Sequence, residues 1–282
     1  MEILQDGFVG RLNLSLLEIE KNGIVLLGNE RPELYNVYGI AHGGYLYTLG
    51  HIAAQLTGEL CLGGNWQVSN ATCQYLNPMR HFPVRAETQC VGADEDSPYL
   101  QVRIYDSRDL LCFTQSIVLK DCAAPDRRVT HTPTIHDALP LPRSCFEELR
   151  FPCLSSTFAK FMNIYSIGRK ESGIIYAVDL SEVNCDDYGF VHPGALFTAA
   201  DAASGGSMFY IHKMRPITVS ATIHYFRQTA AGPVSVVPRL VRGGRSLFYY
   251  DVDIIDDEGS PVAAAHFIMQ NTMTMTEEKS EI

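Results

Sequence analysis

Two short stretches of this 282-residue chain carry residues able to do chemistry. In YNVYGIAHGGYLYTLGHIAAQL, residues 35–56, His42 is followed by Gly43 and Gly44 at the start of a predicted helix, which brings bare backbone amide to one place. A helix N-terminus has unsatisfied N–H groups and partial positive charge, so an amide there suits an oxygen that gains negative charge during a reaction. In CDDYGFVHPGALFTAADAASGG, which begins at Cys185, the design recurs with Pro193 in place of Gly43 and with Asp201 inside an apolar helical run. Proline has no N–H. An ionisable group amid FTAADAAS is unfavourable to bury without a partner, which points to a working carboxylate.

The two stretches are parts of one long repeat. Shifting the chain by 150 positions pairs Phe8 with Phe158, Gly23 with Gly173, Gly39 with Gly189, His42 with His192, Thr48 with Thr198, Thr72 with Thr222, Tyr75 with Tyr225 and Asp106 with Asp256, with no gap. An offset that holds from Phe8 to Asp256 identifies an internal duplication. Each copy reads as a strand around a glycine turn, a loop, one helix and then several β-rich runs such as VRAETQCV and VSVVPRLV. The helix GGYLYTLGHIAAQL is apolar on nearly every face, so it is expected to be buried. The fold class is therefore α+β: two tandem domains, each a curved antiparallel sheet wrapped around a central helix. Their expected extents are residues 1–121 and 157–282, with a proline-rich linker or crossover over 122–156 that holds a short helical turn at SCFEELR. The polar end NTMTMTEEKSEI is expected to fray.

Composition narrows the class of function. Hydrophobic residues make up 46% and charged residues 19%, the balance of a folded chain. The formal charge of −10 disfavours nucleic acid as a partner. MEILQDGFVG lacks a basic region before an apolar core, and no apolar run approaches the roughly 20 residues of a membrane span. The eight cysteines show no CxxC pair or metal-ligand spacing, so free thiols in a reducing cytoplasm are the simplest account.

Strand, loop, N-x-x-G-x-x-H-G-G, buried helix and further strands together resemble the hotdog fold, specifically the acyl-CoA thioesterases of the phenylacetate-degradation type. The motif is complete in Asn36, Gly39, His42, Gly43 and Gly44. The resemblance implies that two hotdog units pair with antiparallel helices and that each active site lies between them. It also implies that the first glycine after the histidine offers its N–H to the thioester carbonyl, while an Asp eight residues later is nucleophile or general base. Eight helical residues span about 12 Å, so the two groups must come from opposite helices.

Carried over position by position, the first copy supplies Asn36, His42 and Gly43 but has His51 where the carboxylate belongs. The second supplies Asp201, and Thr218 where the first has Val68, but has Pro193 where the amide belongs and Asp186 at the Asn position. One complete site, built from Gly43 and Asp201, is therefore expected, with Pro193 and His51 forming a degenerate counterpart. His51 alone reads as a core histidine. Arg227, Arg239, Arg242 and Arg245 replace Asn77, Gln89, Gly92 and Glu95 of the first copy and would suit the phosphates of coenzyme A. The expected substrate is an acyl-CoA, with no metal or redox cofactor and a possible homodimer that would be a pseudo-tetramer of hotdog units. Alternative readings are a hotdog dehydratase or hydratase, which would need a His and a carboxylate together, and a non-catalytic acyl-CoA binder.

Overall fold

The computed structural model describes residues 4, 7–94, 97–122, 147–148, 156–171, 173–230 and 232–274. The first copy contains a short helix α1 (Gly7–Gly10), strands β1 (Leu14–Glu20) and β2 (Gly23–Gly28), the central helix α2 (Gly43–Thr57), and strands β3 (Trp66–Tyr75), β4 (Val84–Asp94), β5 (Ser97–Tyr105) and β6 (Leu111–Asp121). After β7 (Glu147–Glu148), the second copy repeats the order with α3 (Thr157–Phe161), β8 (Ile164–Lys170), β9 (Gly173–Val178), α4 (Pro193–Tyr210), β10 (Met214–Tyr225), β11 (Val234–Gly243), β12 (Leu247–Ile255) and β13 (Pro261–Thr274). Both central helices start where the His-Gly and His-Pro pairs place them.

All strands join one antiparallel sheet in the order β1-β2-β4-β5-β6-β3-β10-β13-β12-β11-β9-β8-β7. Apart from β7 the order is a palindrome of the two copies, and its centre is the β3–β10 pair. There Thr72 lies opposite its own repeat counterpart Thr222, with the two hydroxyls 3.1 Å apart, so a pseudo-twofold axis passes between them. Alternating burial along β5 and β12 turns one side of each strand inward, as a half-buried strand requires.

The helices fill the space that the curved sheet encloses. Nearly every α2 residue is buried, because one side meets its own half of the sheet and the other meets α4. The crossing is antiparallel: Gly44 lies against Thr198 and Thr48 against Gly194, while the Tyr47 and Phe197 rings stack at 3.6 Å between them. Each threonine hydroxyl bonds back into its own helix, Thr48 to the Gly44 carbonyl at 2.6 Å and Thr198 to the Gly194 carbonyl at 2.7 Å. The copies also exchange their short N-terminal helices, since Phe8 of α1 packs on His192 and Phe158 of α3 packs on His42.

Two expectations are corrected. Glu147–Glu148 within SCFEELR forms β7, paired with Arg169 and Gly168 of β8, where the outer edge of the sheet offers free backbone groups that a helical turn would leave unpaired. The end of the chain does not leave the sheet at Asn271, because β13 continues through Thr274, whose partner is Met214. The rest of the linker and residues 275–282 lie outside the described residues.

The crossing sets a clear expectation. A Cβ at Gly44 would fall 2.2 Å from the Thr198 hydroxyl, and one at Gly194 would fall 2.4 Å from the Thr48 hydroxyl. Gly44→Ala should therefore lower stability by about 1–3 kcal/mol, although alanine is the better helix former, and urea denaturation would measure the loss. Pairing Gly44→Ala with Thr198→Ala, which removes the clashing hydroxyl and the methyl group, should recover part of it.

Candidate active site

His42 and His192 are the N-caps of α2 and α4, and each ring accepts from the N–H two residues ahead. Gly44 N–H donates to His42 Nδ1 at 2.9 Å, and Gly194 N–H donates to His192 Nδ1 at 3.0 Å. A ring whose Nδ1 accepts carries its proton on Nε2 and is neutral. Burial enforces this state, pushing His42 down to about 4 and His192 well below the usual histidine range, where the neighbouring His51 adds to the effect. His42 Nδ1 is 3.9 Å from Asp201 Oδ2, a contact of a neutral ring with the carboxylate rather than an ion pair. Capping is thus shared by both copies and is not what separates their sites.

Asn36 is likewise a loop builder. Its Oδ1 accepts from the N–H groups of Tyr38 and Ile40, and Asp186 Oδ1 accepts from Tyr188 and Phe190 in the same way. The Asn36/Asp186 difference therefore leaves the loop unchanged, and the oxygen of Asn36 is committed to the backbone.

The groups that do differ lie further in. Because His42 caps through Gly44, the Gly43 N–H at the first position of α2 has no acceptor among the described residues, as expected of a helix start. The next peptide is held by Tyr75, whose hydroxyl donates to the Gly43 carbonyl at 2.9 Å. The antiparallel crossing brings Asp201 of α4 to the same place. Asp201 is 8% exposed, and Thr218 on β10 donates to its Oδ1 at 2.5 Å. Burial raises its carboxyl from the usual range to about 6, against the opposing pull of the Thr218 hydrogen bond.

Gly43, Asp201 and Thr218 line one cavity of about 710 Å³, together with Asn36 and His42. The cavity opens because β3 pairs with β10 only over Asn70–Gln74 and Ser220–His224, so residues 214–219 of β10 run past the end of β3. All five expected catalytic positions thus come together, with Gly43 and Asp201 arriving from different copies.

The pseudo-twofold axis generates a second cavity of about 630 Å³, lined by Pro193, His51 and Val68 where the first has Gly43, Asp201 and Thr218. It has neither the amide donor nor the carboxylate. His51 is buried, and its Nδ1 has no partner among the described residues. Burial pushes it down to about 3, so it too is neutral. Among the described residues no group of three His, Cys, Asp or Glu side chains is placed to hold a metal ion.

The expected phosphate-binding arginines do not converge on the first cavity. Arg227 pairs with buried Asp256 and lines the second cavity, Arg239 pairs with Asp251, and Arg242 and Arg245 are exposed at the β11–β12 hairpin. The axis explains Arg227. Its counterpart Asn77 lines the first cavity, so Arg227 must face the second. The arginines that do line the first cavity are Arg80 and Arg215, the latter with its guanidinium 4.7 Å above the Tyr38 ring. Their counterparts are Ala230 and Asn65, so the same comparison between copies could have found them.

Comparison with known proteins agrees with this architecture. A candidate thioesterase II of Thermobifida fusca superposes with a TM-score of 0.67 at 14% identity, over 96% of this chain and 100% of that one. A hot dog fold protein of unknown function from Alicyclobacillus acidocaldarius gives 0.67 at 14% identity over 93% and 97%. The acyl-CoA thioesterase II TesB2 of Mycobacterium marinum gives 0.65 at 13% identity over 93% and 97%. At these identities the likeness establishes the fold, a tandem of hotdog units. No curated protein matches the sequence. The profile of the thioesterase superfamily matches twice, over residues 38–113 and 188–263, which are the two copies of the repeat and more than half of the sequence. A tandem-hotdog thioester hydrolase in architecture and profile, the chain belongs to the thioesterase superfamily.

Proposed function

We propose that this protein hydrolyses an acyl-CoA thioester to a carboxylic acid and free coenzyme A at a single site between its two halves. The observation that carries the reading is the convergence of the unpaired Gly43 N–H and the buried Asp201 carboxylate on one cavity, while Pro193 and His51 meet in the other. The Gly43 N–H, at the positive end of α2, receives the carbonyl oxygen as it becomes an oxyanion. Asp201, oriented by Thr218, supplies the electron pair to the carbonyl carbon, directly or through a water whose proton it takes. Collapse of the tetrahedral species breaks the C–S bond, and the coenzyme A thiolate leaves and takes up a proton. On the water route this forms the acid; on the direct route it forms an Asp201–acyl anhydride that a water hydrolyses to the acid and free Asp201. Water's oxygen ends in the acid. The scheme needs no metal or redox cofactor.

Arg80 and Arg215 offer positive charge to the coenzyme A phosphates, in place of the four arginines first expected. Among the described residues no helix is long and apolar enough to cross a membrane. Six described cysteines are free thiols, which supports a cytoplasmic setting.

Release of free thiol from a panel of acyl-CoAs tests the reaction. Asp201→Asn should lower kcat by orders of magnitude. Gly43→Pro, which deletes a donor worth about 2.7–4 kcal/mol in the transition state, should lower it by about a hundredfold or more. His51→Asn and Pro193→Gly should leave turnover near wild type. Full activity in Asp201→Asn, with loss on changing His51, would place the chemistry in the other half.

The raised carboxyl of Asp201 sets two pH dependences. If the carboxylate is the working form, kcat/KM should rise with pH through about 6 and then level off. The folded state holds the Asp201 proton more tightly than the unfolded state, so this residue's contribution to stability falls as pH rises from about 4 to 6. Asp201→Asn should therefore melt above wild type at pH 7.5, with the difference shrinking below pH 4.

A further inference from the structure

Beyond Asp201, α4 carries a feature that the hydrolytic chemistry does not use. Gly205 and Gly206 sit consecutively in the interior of an 18-residue helix, where glycine is the least favourable residue after proline. The corresponding positions of α2 are Gln55 and Leu56, so the fold itself does not call for glycine there. Both glycines line the same cavity as Asp201 and are half-buried against it. A Cβ at Gly205 would meet only Pro216 at 3.8 Å and Met269 at 3.9 Å, which is ordinary contact. The space in front of Gly205 is open cavity rather than packed core, whereas a Cβ at Gly206 would fall 2.8 Å from the Tyr176 hydroxyl, so Gly206 makes room for that ring in the cavity wall.

Two positions of the wall around the gap are apolar on this side and polar on the other. Tyr176, Phe209, Pro216, Ile217 and Met269 line the first cavity beside the glycines. Around the second cavity, Glu59 stands at the position of Phe209 and Gln67 at that of Ile217, and Gln55 donates to Glu59 at 3.2 Å. The half of the molecule with the carboxylate thus has no side chain at two helix positions and two apolar wall residues, where its counterpart has Gln55, Leu56, Glu59 and Gln67. From Asp201 to Phe209 the helix advances about 12 Å, the reach of a medium-length acyl chain.

We propose that the gap at Gly205, walled by the Tyr176 ring that Gly206 admits, is the acyl pocket, and that it selects an uncharged, apolar acyl group of medium length that lies along α4 from Asp201 toward Phe209. The inference rests on the hydrolase reading for its substrate and on the cavity for its shape. Octanoyl-CoA and acetyl-CoA are the probes. Wild type should prefer octanoyl-CoA in kcat/KM, and Gly205→Leu should lower the octanoyl-to-acetyl ratio at least tenfold, the scale on which filling a hydrophobic pocket discriminates. Its melting temperature should hold or rise, because the substitution removes a helix-interior glycine. Gly205→Ala, whose methyl meets no clash, should shift the ratio in the same direction by less, and Gln55→Ala at the corresponding position of α2 should leave it unchanged.

Calorimetric binding of both thioesters to Asp201→Asn, with and without Gly205→Leu, reads the pocket without turnover. A wild-type preference for acetyl-CoA, or an unchanged ratio in a folded Gly205→Leu protein, overturns the proposal while leaving the hydrolase intact. Selective octanoyl-CoA binding without hydrolysis in wild type would instead sink the hydrolase reading and keep the pocket.

Discussion

The close crossing of α2 and α4 is the constraint on which the rest depends. Gly44 seated against Thr198, and Gly194 against Thr48, let the two helix backbones approach without a Cβ between them, and the stacked Tyr47 and Phe197 rings fix the register. Antiparallel packing then does geometrically what one helix cannot do alone. It sets the N-terminus of each helix beside the middle of the other, so an amide from one copy and a carboxylate from the other face one cavity. Had the helices slid by a turn, about 5.4 Å, His42 and Asp201 could not lie 3.9 Å apart.

Duplication within one chain gives that geometry freedom to become asymmetric. A symmetric dimer must keep donor and carboxylate in every subunit, whereas a fused pair can keep one of each. Here three positions differ together at the second cavity: proline stands where the first has the glycine amide, histidine where it has the carboxylate and valine where it has the supporting hydroxyl. Burying one carboxylate rather than two also spares the fold a second desolvation penalty of the kind that raises Asp201 to about 6. What both copies retain, the histidine caps and the loop-building Asn36 and Asp186, builds helix starts rather than chemistry.

Much of this was legible in the sequence because the duplication supplied an internal comparison. A constant offset of 150 gave the two domains and the starts of both central helices, and the resemblance to hotdog thioesterases implied the pairing of Gly43 with Asp201. The same comparison misled for the arginines, since it reports difference and not direction. Arg227 differs from Asn77, yet the pseudo-twofold axis sends the two to opposite cavities, and Arg239 is used by Asp251. Local pattern also failed at Glu147–Glu148, where the need to pair the β8 edge decided the conformation, and no short-range signal in SCFEELR reports that need. For Asn36 and His42 the motif marks positions only, and it is the hydrogen-bond partners that show Asn36 Oδ1 and His42 Nδ1 to be used by the backbone.

In the proposed reaction one thioester carbonyl is addressed by Gly43 of one copy and Asp201 of the other. A crystal structure of the Asp201→Asn protein with a bound acyl-CoA would test it most directly. The account requires the thioester oxygen within hydrogen-bond distance of the Gly43 N–H and the carbonyl carbon beside residue 201. A carbonyl seated between Pro193 and His51 would contradict it.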